Sequence, residues 1–128
     1  MAFATALWWR LYRVLVPKPG ADGIAVAGIQ TMMTRVPLGT NVGWNIRSGA
    51  RAPDLCGLNG GFLPFAQTAA QRGGDPRRSI EERYTDQKGF AAAVRKGTDE
   101  LMRERFMIQA DADKLVKAAE SGDVLKKP

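Results

Sequence analysis

A change of texture near Gly74 limits what this chain can fold into more than any other feature. The residues before it are rich in Gly, Pro and β-branched side chains and hold few acids. Those after it are rich in Ala, Glu, Lys and Arg at helical spacing. The first texture suits short extended pieces joined by turns, and the second suits amphipathic helices. At 128 residues the chain is one domain's worth of protein, since domains commonly run to about 100–150 residues. The pattern predicts an α/β fragment: Gly/Pro-rich extended and loop segments followed by two to three C-terminal α-helices, incomplete on its own. Within this one partial domain, residues 1–11 form an apolar aromatic segment, 12–74 an extended, turn and loop region, and 75–128 a helical region.

In the middle region, residues 12–16 alternate loosely and stop at Pro17. Pro19-Gly20-Ala21-Asp22-Gly23 reads as a turn, with Gly23 supplying a positive φ and Asp22 bonding to nearby backbone. Residues 24–29 form a second short apolar run, so two extended segments around a turn are expected. Pro37 lacks a backbone donor and does not suit a central strand. Residues 49–74 show little periodicity, and Phe62, Leu63 and Phe65 have no helical or strand register of their own. An irregular stretch of this length is uncommon inside a compact domain unless it packs over something else.

The last region is more sharply punctuated. Ser79-Ile80-Glu81-Glu82 has the capping-box pattern, with a short helix expected from about Ile80 to Tyr84. Thr85 or Asp86 can cap the next helix. Phe90, Val94, Leu101, Met102 and Phe106 then mark one long apolar stripe, to about Phe106. Gly97 within it costs about 1 kcal/mol relative to Ala, which suggests a close approach by a neighbour. Asp111 caps or begins a final helix carrying Ala112, Leu115, Val116 and Ala119. Ser121-Gly122 ends it, with Gly122 expected in a left-handed conformation.

The inventory of reactive groups is restrictive. The chain has no histidine and one cysteine, Cys56, so it can form alone neither a Ser-His-Asp triad nor a His-ligated or Cys-cluster metal site. None of the three serines, Ser48, Ser79 and Ser121, lies in a Gly-x-Ser-x-Gly elbow. Cys56 has no histidine to activate it and reads as inert. Gly57-Leu58-Asn59-Gly60-Gly61 lacks the Gly-Lys-Ser/Thr ending of a phosphate loop and reads as turn geometry. Asp111 and Asp113 point apart at helical spacing, and Asp75-Pro76-Arg77 reads as a turn with a structural Asp. No catalytic, metal or cofactor site is expected.

A net charge of +6, from 19 Lys+Arg against 13 Asp+Glu, speaks first to solubility. The arginines are scattered and form no basic stripe, so nucleic acid is an unlikely partner. Residues 1–16 carry Trp8, Trp9 and Tyr12, with Arg10 and Arg13 placed after the apolar run has begun. That order does not fit a signal peptide, and the run is too short for a membrane span. Cytoplasmic residence is the expectation, with a membrane surface as a candidate partner through Trp8 and Trp9.

Several short motifs occur in a telling order: Val14-Leu15-Val16-Pro17-Lys18, Ala21-Asp22-Gly23, Val36-Pro37-Leu38-Gly39-Thr40 and Gly43-Trp44-Asn45-Ile46-Arg47. Asp54-Leu55-Cys56-Gly57-Leu58-Asn59-Gly60, Gly74-Asp75-Pro76-Arg77 and Ser79-Ile80-Glu81-Glu82-Arg83-Tyr84 follow. Together they resemble the C-terminal portion of the bacterial alpha/beta hydrolase domain family, large proteins read as esterases. The resemblance implies a part of a carboxylic ester hydrolase domain whose serine elbow and histidine lie upstream of the matching region. No position here matches either, so no catalysis is expected from this chain alone. Gly61 departs from the pattern, residues 30–34 look degraded, and residues 1–11 match least.

In that frame Trp8, Trp9, Trp44, Phe62 and Phe65 would be interface residues facing a hydrolase body or partner protein. Asn45, Arg47, Asp54 and Asn59 are the polar side chains that would hold loops or approach a substrate pocket. The alternative is a small non-enzymatic interaction protein that binds a partner protein or a membrane surface.

Overall fold

The computed structural model describes residues 17–43, 45–46, 56–57 and 60–125. The expected extended run at 12–16, with Trp8, Trp9, Trp44 and Ser48, lies outside them. The chain order is α1 (Met32–Arg35), β1 (Gly39–Val42), β2 (Asn45–Ile46), β3 (Cys56–Gly57), β4 (Gly61–Pro64), α2 (Ile80–Tyr84), α3 (Gln87–Arg103) and α4 (Gln109–Ser121), with a 3₁₀ turn at Ala70–Arg72. Strands thus precede the larger helices, as the change of texture predicts.

The strands nest. β1 pairs antiparallel with β4, Gly39 opposite Pro64 and Val42 opposite Gly61. Inside that ladder β2 pairs antiparallel with β3, Asn45 opposite Gly57 and Ile46 opposite Cys56. Phe65 N donates to Leu38 O and extends the pairing outwards. Phe62 and Leu63 therefore do have a strand register, contrary to the sequence reading. Their strand escaped notice because β4 is exposed or half-exposed along its whole length, and a strand with no buried face has no alternation to reveal it.

Before the hairpin, the turn at residues 19–25 forms as expected. Gly23 has φ 72°, and Gly20 N donates to Ile24 O at 2.8 Å. Residues 24–29 do not make a second strand, and only Pro19 and Ala25 pair there. Gln30 competes for that backbone, its side-chain amide donating to the carbonyls of Ala25, Ala27 and Gly28. The short helix α1, which periodicity did not mark, follows. Its Arg35 donates to Gln30 O and to the carboxylates of Glu100 and Glu104, fastening α1 to α3.

The helical region follows the sequence reading closely. Ser79 caps α2 with both halves of the capping box in place, and Asp86 caps α3 by accepting from Gly89 N. The buried stripe of α3 is Phe90, Val94, Gly97, Thr98 and Leu101. Gly97 is closely approached: a β-carbon there would lie 3.1 Å from Met32 Sδ and 3.4 Å from Val36 Cγ2. The core gathers Val36, Phe65, Ile80, Tyr84, Phe90, Val94 and Ala119. Tyr84 and Phe90 meet edge to face with ring centroids 5.2 Å apart, a favoured aromatic arrangement.

Three helix ends differ from expectation. α3 stops at Arg103, so Phe106 is exposed and not part of the stripe. The stop is a Schellman motif: Phe106 N bonds Leu101 O, Arg105 N bonds Met102 O, and Arg105 has φ 64°. α4 starts at Gln109 after Ile108, so Asp111 is in its first turn and is not its cap. There the aspartate still favours the positive end of the helix dipole. Gly122 is extended, with φ −71°. The C-terminal end is held by Gln87, whose amide donates to Ala119 O and accepts from Leu125 N.

Candidate functional site

Two features stand out, a clamp of charged side chains and an apolar groove beside it. The clamp is built on Phe65. Its ring lies under two guanidiniums, Arg83 at 4.1 Å and Arg77 at 5.1 Å from the centroid, each in range for a cation–π contact. Phe65 is buried at 4% exposure, so it is a core residue and not the exposed interface aromatic that the sequence suggested. Its position just after β4 turns it inward between the hairpin and α2.

Both arginines are fully engaged. Arg83 forks onto both carboxylate oxygens of Asp22 and gives its Nε proton to Arg78 O. Its side chain is only 6% exposed. Arg77 donates to both oxygens of Asp75, to Thr40 Oγ1 at 2.9 Å and to Leu63 O at 3.1 Å. Thr40 in turn donates to Asp22 O. The turn, the hairpin and α2 are tied through one network. The Arg77 side chain, with help from its backbone N–H, draws the Asp75 carboxyl down to about 2, and Asp75 holds Arg77 above its ordinary value. Asp75 is thereby held ionised and is not poised to take a proton as a general base at neutral pH, and Asp22 has both carboxylate oxygens bonded to Arg83.

The described serines are occupied as well. Ser79 is completely buried, and its hydroxyl bonds Glu82 Oε2 at 2.8 Å. Backbone and hydroxyl donors of Ser79 hold the Glu82 carboxyl below its usual range. Ser121 donates to Lys117 O within its own helix. Among the described residues no three His, Cys, Asp or Glu side chains come together as a metal site, and no helix is long and apolar enough to cross a membrane.

The groove has a volume of about 360 Å³, within the size range of small ligand pockets. Met32, Met33 and Val36 line one side, Leu38, Asn41 and Phe62 come from the hairpin, and Phe90, Val94, Leu115, Ala118 and Ala119 from α3 and α4. Asn41 is the one polar side chain in this wall. Met33 is 63% exposed, Phe62 52% and Leu115 39%.

Of the polar candidates from sequence, Asn45 pairs through its backbone with Gly57, and Arg47, Asp54 and Asn59 lie outside the described residues. The clamp arginines were missed. Their signal was present, since Ala21-Asp22-Gly23, Gly74-Asp75-Pro76-Arg77 and Arg83-Tyr84 are all among the motifs that carry the resemblance.

The sequence matches the alpha/beta hydrolase domain family over residues 7–117. This chain belongs to that family. The match includes the hairpin, the clamp, α2 and α3, and ends within α4. It begins inside the segment 1–11 that composition sets apart. No curated protein and no solved structure matches the chain.

Proposed function

We propose that this chain is the C-terminal part of an alpha/beta-hydrolase-like carboxylic ester hydrolase domain and does not catalyse alone. The observation that carries the reading is the lack of any histidine in a hydrolase-family sequence. The engagement of Ser79, Asp22 and Asp75 in structural bonds supports it. A triad works through mutual geometry, and here the base is missing and Asp22 and Asp75 are committed to arginine. Residues 1–11, 12–74 and 75–128 are then three parts of one partial domain. Asn45, Arg47, Asp54 and Asn59 are its candidates for holding loops or approaching a substrate pocket, and the single cysteine fits a cytoplasmic setting.

The test is hydrolysis of short-chain nitrophenyl esters by the purified chain, where no turnover above buffer is expected. Turnover abolished by substitution of Ser48, Ser79, Ser121 or Cys56 would sink the reading. A second reading, a non-enzymatic interaction protein, is favoured by the neighbouring Phe62 and Leu63, both about half exposed on β4. It predicts capture of a partner protein or co-sedimentation with anionic vesicles, the latter weakening as salt rises.

A further inference from the structure

The geometry points to the apolar groove as a binding site for a neutral, mainly hydrocarbon small molecule with one hydrogen-bonding group, which Asn41 receives. Size comes first. The groove's volume of about 360 Å³ is more than twice that of the about 150 Å³ cavity that takes one benzene. A ligand roughly twice benzene's size fits it. The chemistry follows from the wall. Among the described residues no charged side chain lines it, and Asn41 is its one polar side chain. A carboxylate or ammonium would lose its water there and find no partner. A hydrocarbon gains from the same wall, and the Asn41 amide offers both a donor and an acceptor to a hydroxyl or carbonyl.

The wall is also held in place by the fold itself. Asn41 and Phe62 lie opposite each other in the β1–β4 ladder, so their side chains share a face. Thr40, on the other face, is anchored by Arg77 and by Asp22 O. Gly39 leaves room for the Phe62 ring, since a β-carbon there would lie 2.6 Å from Phe62 Cζ. Gly97 does the same for Met32 on the α1 side. Two close approaches at glycine thus set two walls, and such preorganisation lowers the cost of binding. Met33, Phe62 and Leu115 still stand exposed along the groove, as apolar residues at ligand-binding grooves do. Met32 and Met33 can adapt to a ligand's shape. No nucleophile, acid or base lines the groove among the described residues, so it binds without reacting. The inference holds whether or not the chain catalyses.

Nile red, a neutral fluorophore, tests this on the full chain. Its emission should rise saturably at one probe per chain, and 1-octanol should displace it. Octanoate at neutral pH should compete about tenfold more weakly than 1-octanol, or worse. Leu115→Glu should weaken Nile red about tenfold or more while the helical circular dichroism persists. Met33→Glu should do the same from the α1 side, and serves if Leu115→Glu unfolds the chain. Asn41→Leu should cost 1-octanol about three- to tenfold in affinity and leave cyclohexane binding intact. Phe106→Ser, at an exposed position off the groove, should change nothing. The proposal is overturned by an absence of saturable binding, or by binding that survives both groove charges. It is also overturned if octanoate competes as well as 1-octanol, or if Asn41→Leu binds 1-octanol unchanged. Loss of binding in Phe106→Ser sinks it too, as does one probe per two chains, which would place the probe between copies.

Discussion

Arg105 shows how much one residue can hide. It adopts φ 64° at the end of α3, a conformation that costs a non-glycine residue about 1–2 kcal/mol. Nothing in Arg103-Glu104-Arg105-Phe106 signals a stop, since helices more often end on Gly or Asn. Periodicity therefore runs past the end. Arg105 is exposed, so Arg105→Gly should stabilise the protein by about 1 kcal/mol, measured as a higher denaturant midpoint with an unchanged slope. Asp75 makes the opposite point, because its structural role is legible from the Asp-Pro-Arg spacing. Its folded pKa of about 2 lies below the ordinary 3.8. Its contribution is therefore complete above about pH 4 and is lost as pH falls through about 2. Asp75→Asn should be less stable than wild type at neutral pH and should lose less on acidification over that window. Thermal melts of the two proteins across the acid range would show it.

At the scale of elements, legibility tracks burial. Helices α2 and α3 were readable because Ile80, Tyr84, Phe90, Val94 and Leu101 are buried on one face and because Ser79 and Asp86 cap them with their own side chains. β4 was not, because Phe62 and Leu63 stand exposed and only Phe65 turns inward. The four-residue α1 was not readable either. It is held by Arg35 reaching Glu100 and Glu104, partners far away in sequence that no local pattern announces. Gly97 joins the two kinds of evidence, since its cost in a helix was legible and its purpose is the seat it gives α1. Gly97→Leu should push Met32 and Val36 off α3 and destabilise by about 1–3 kcal/mol, the usual range for overpacking. Urea unfolding would measure it, and a neutral result would mean that α1 moves aside without loss.

For the whole molecule, the motifs of the family likeness that fall within the described residues include its joints. Asp22, Thr40, Asp75, Arg77 and Arg83 tie the turn, hairpin and α2 around Phe65. At these positions the family likeness is structural. The candidate site was only partly legible for the same reason. The composition excluded a self-contained triad at once, whereas the groove depends on how α1, the hairpin, α3 and α4 come together in space. The most direct test of the central claim is labelling of the intact chain with a fluorophosphonate, which reacts with activated serines, followed by intact mass spectrometry. The account predicts an unchanged mass. An adduct on Ser48, Ser79 or Ser121 would contradict it.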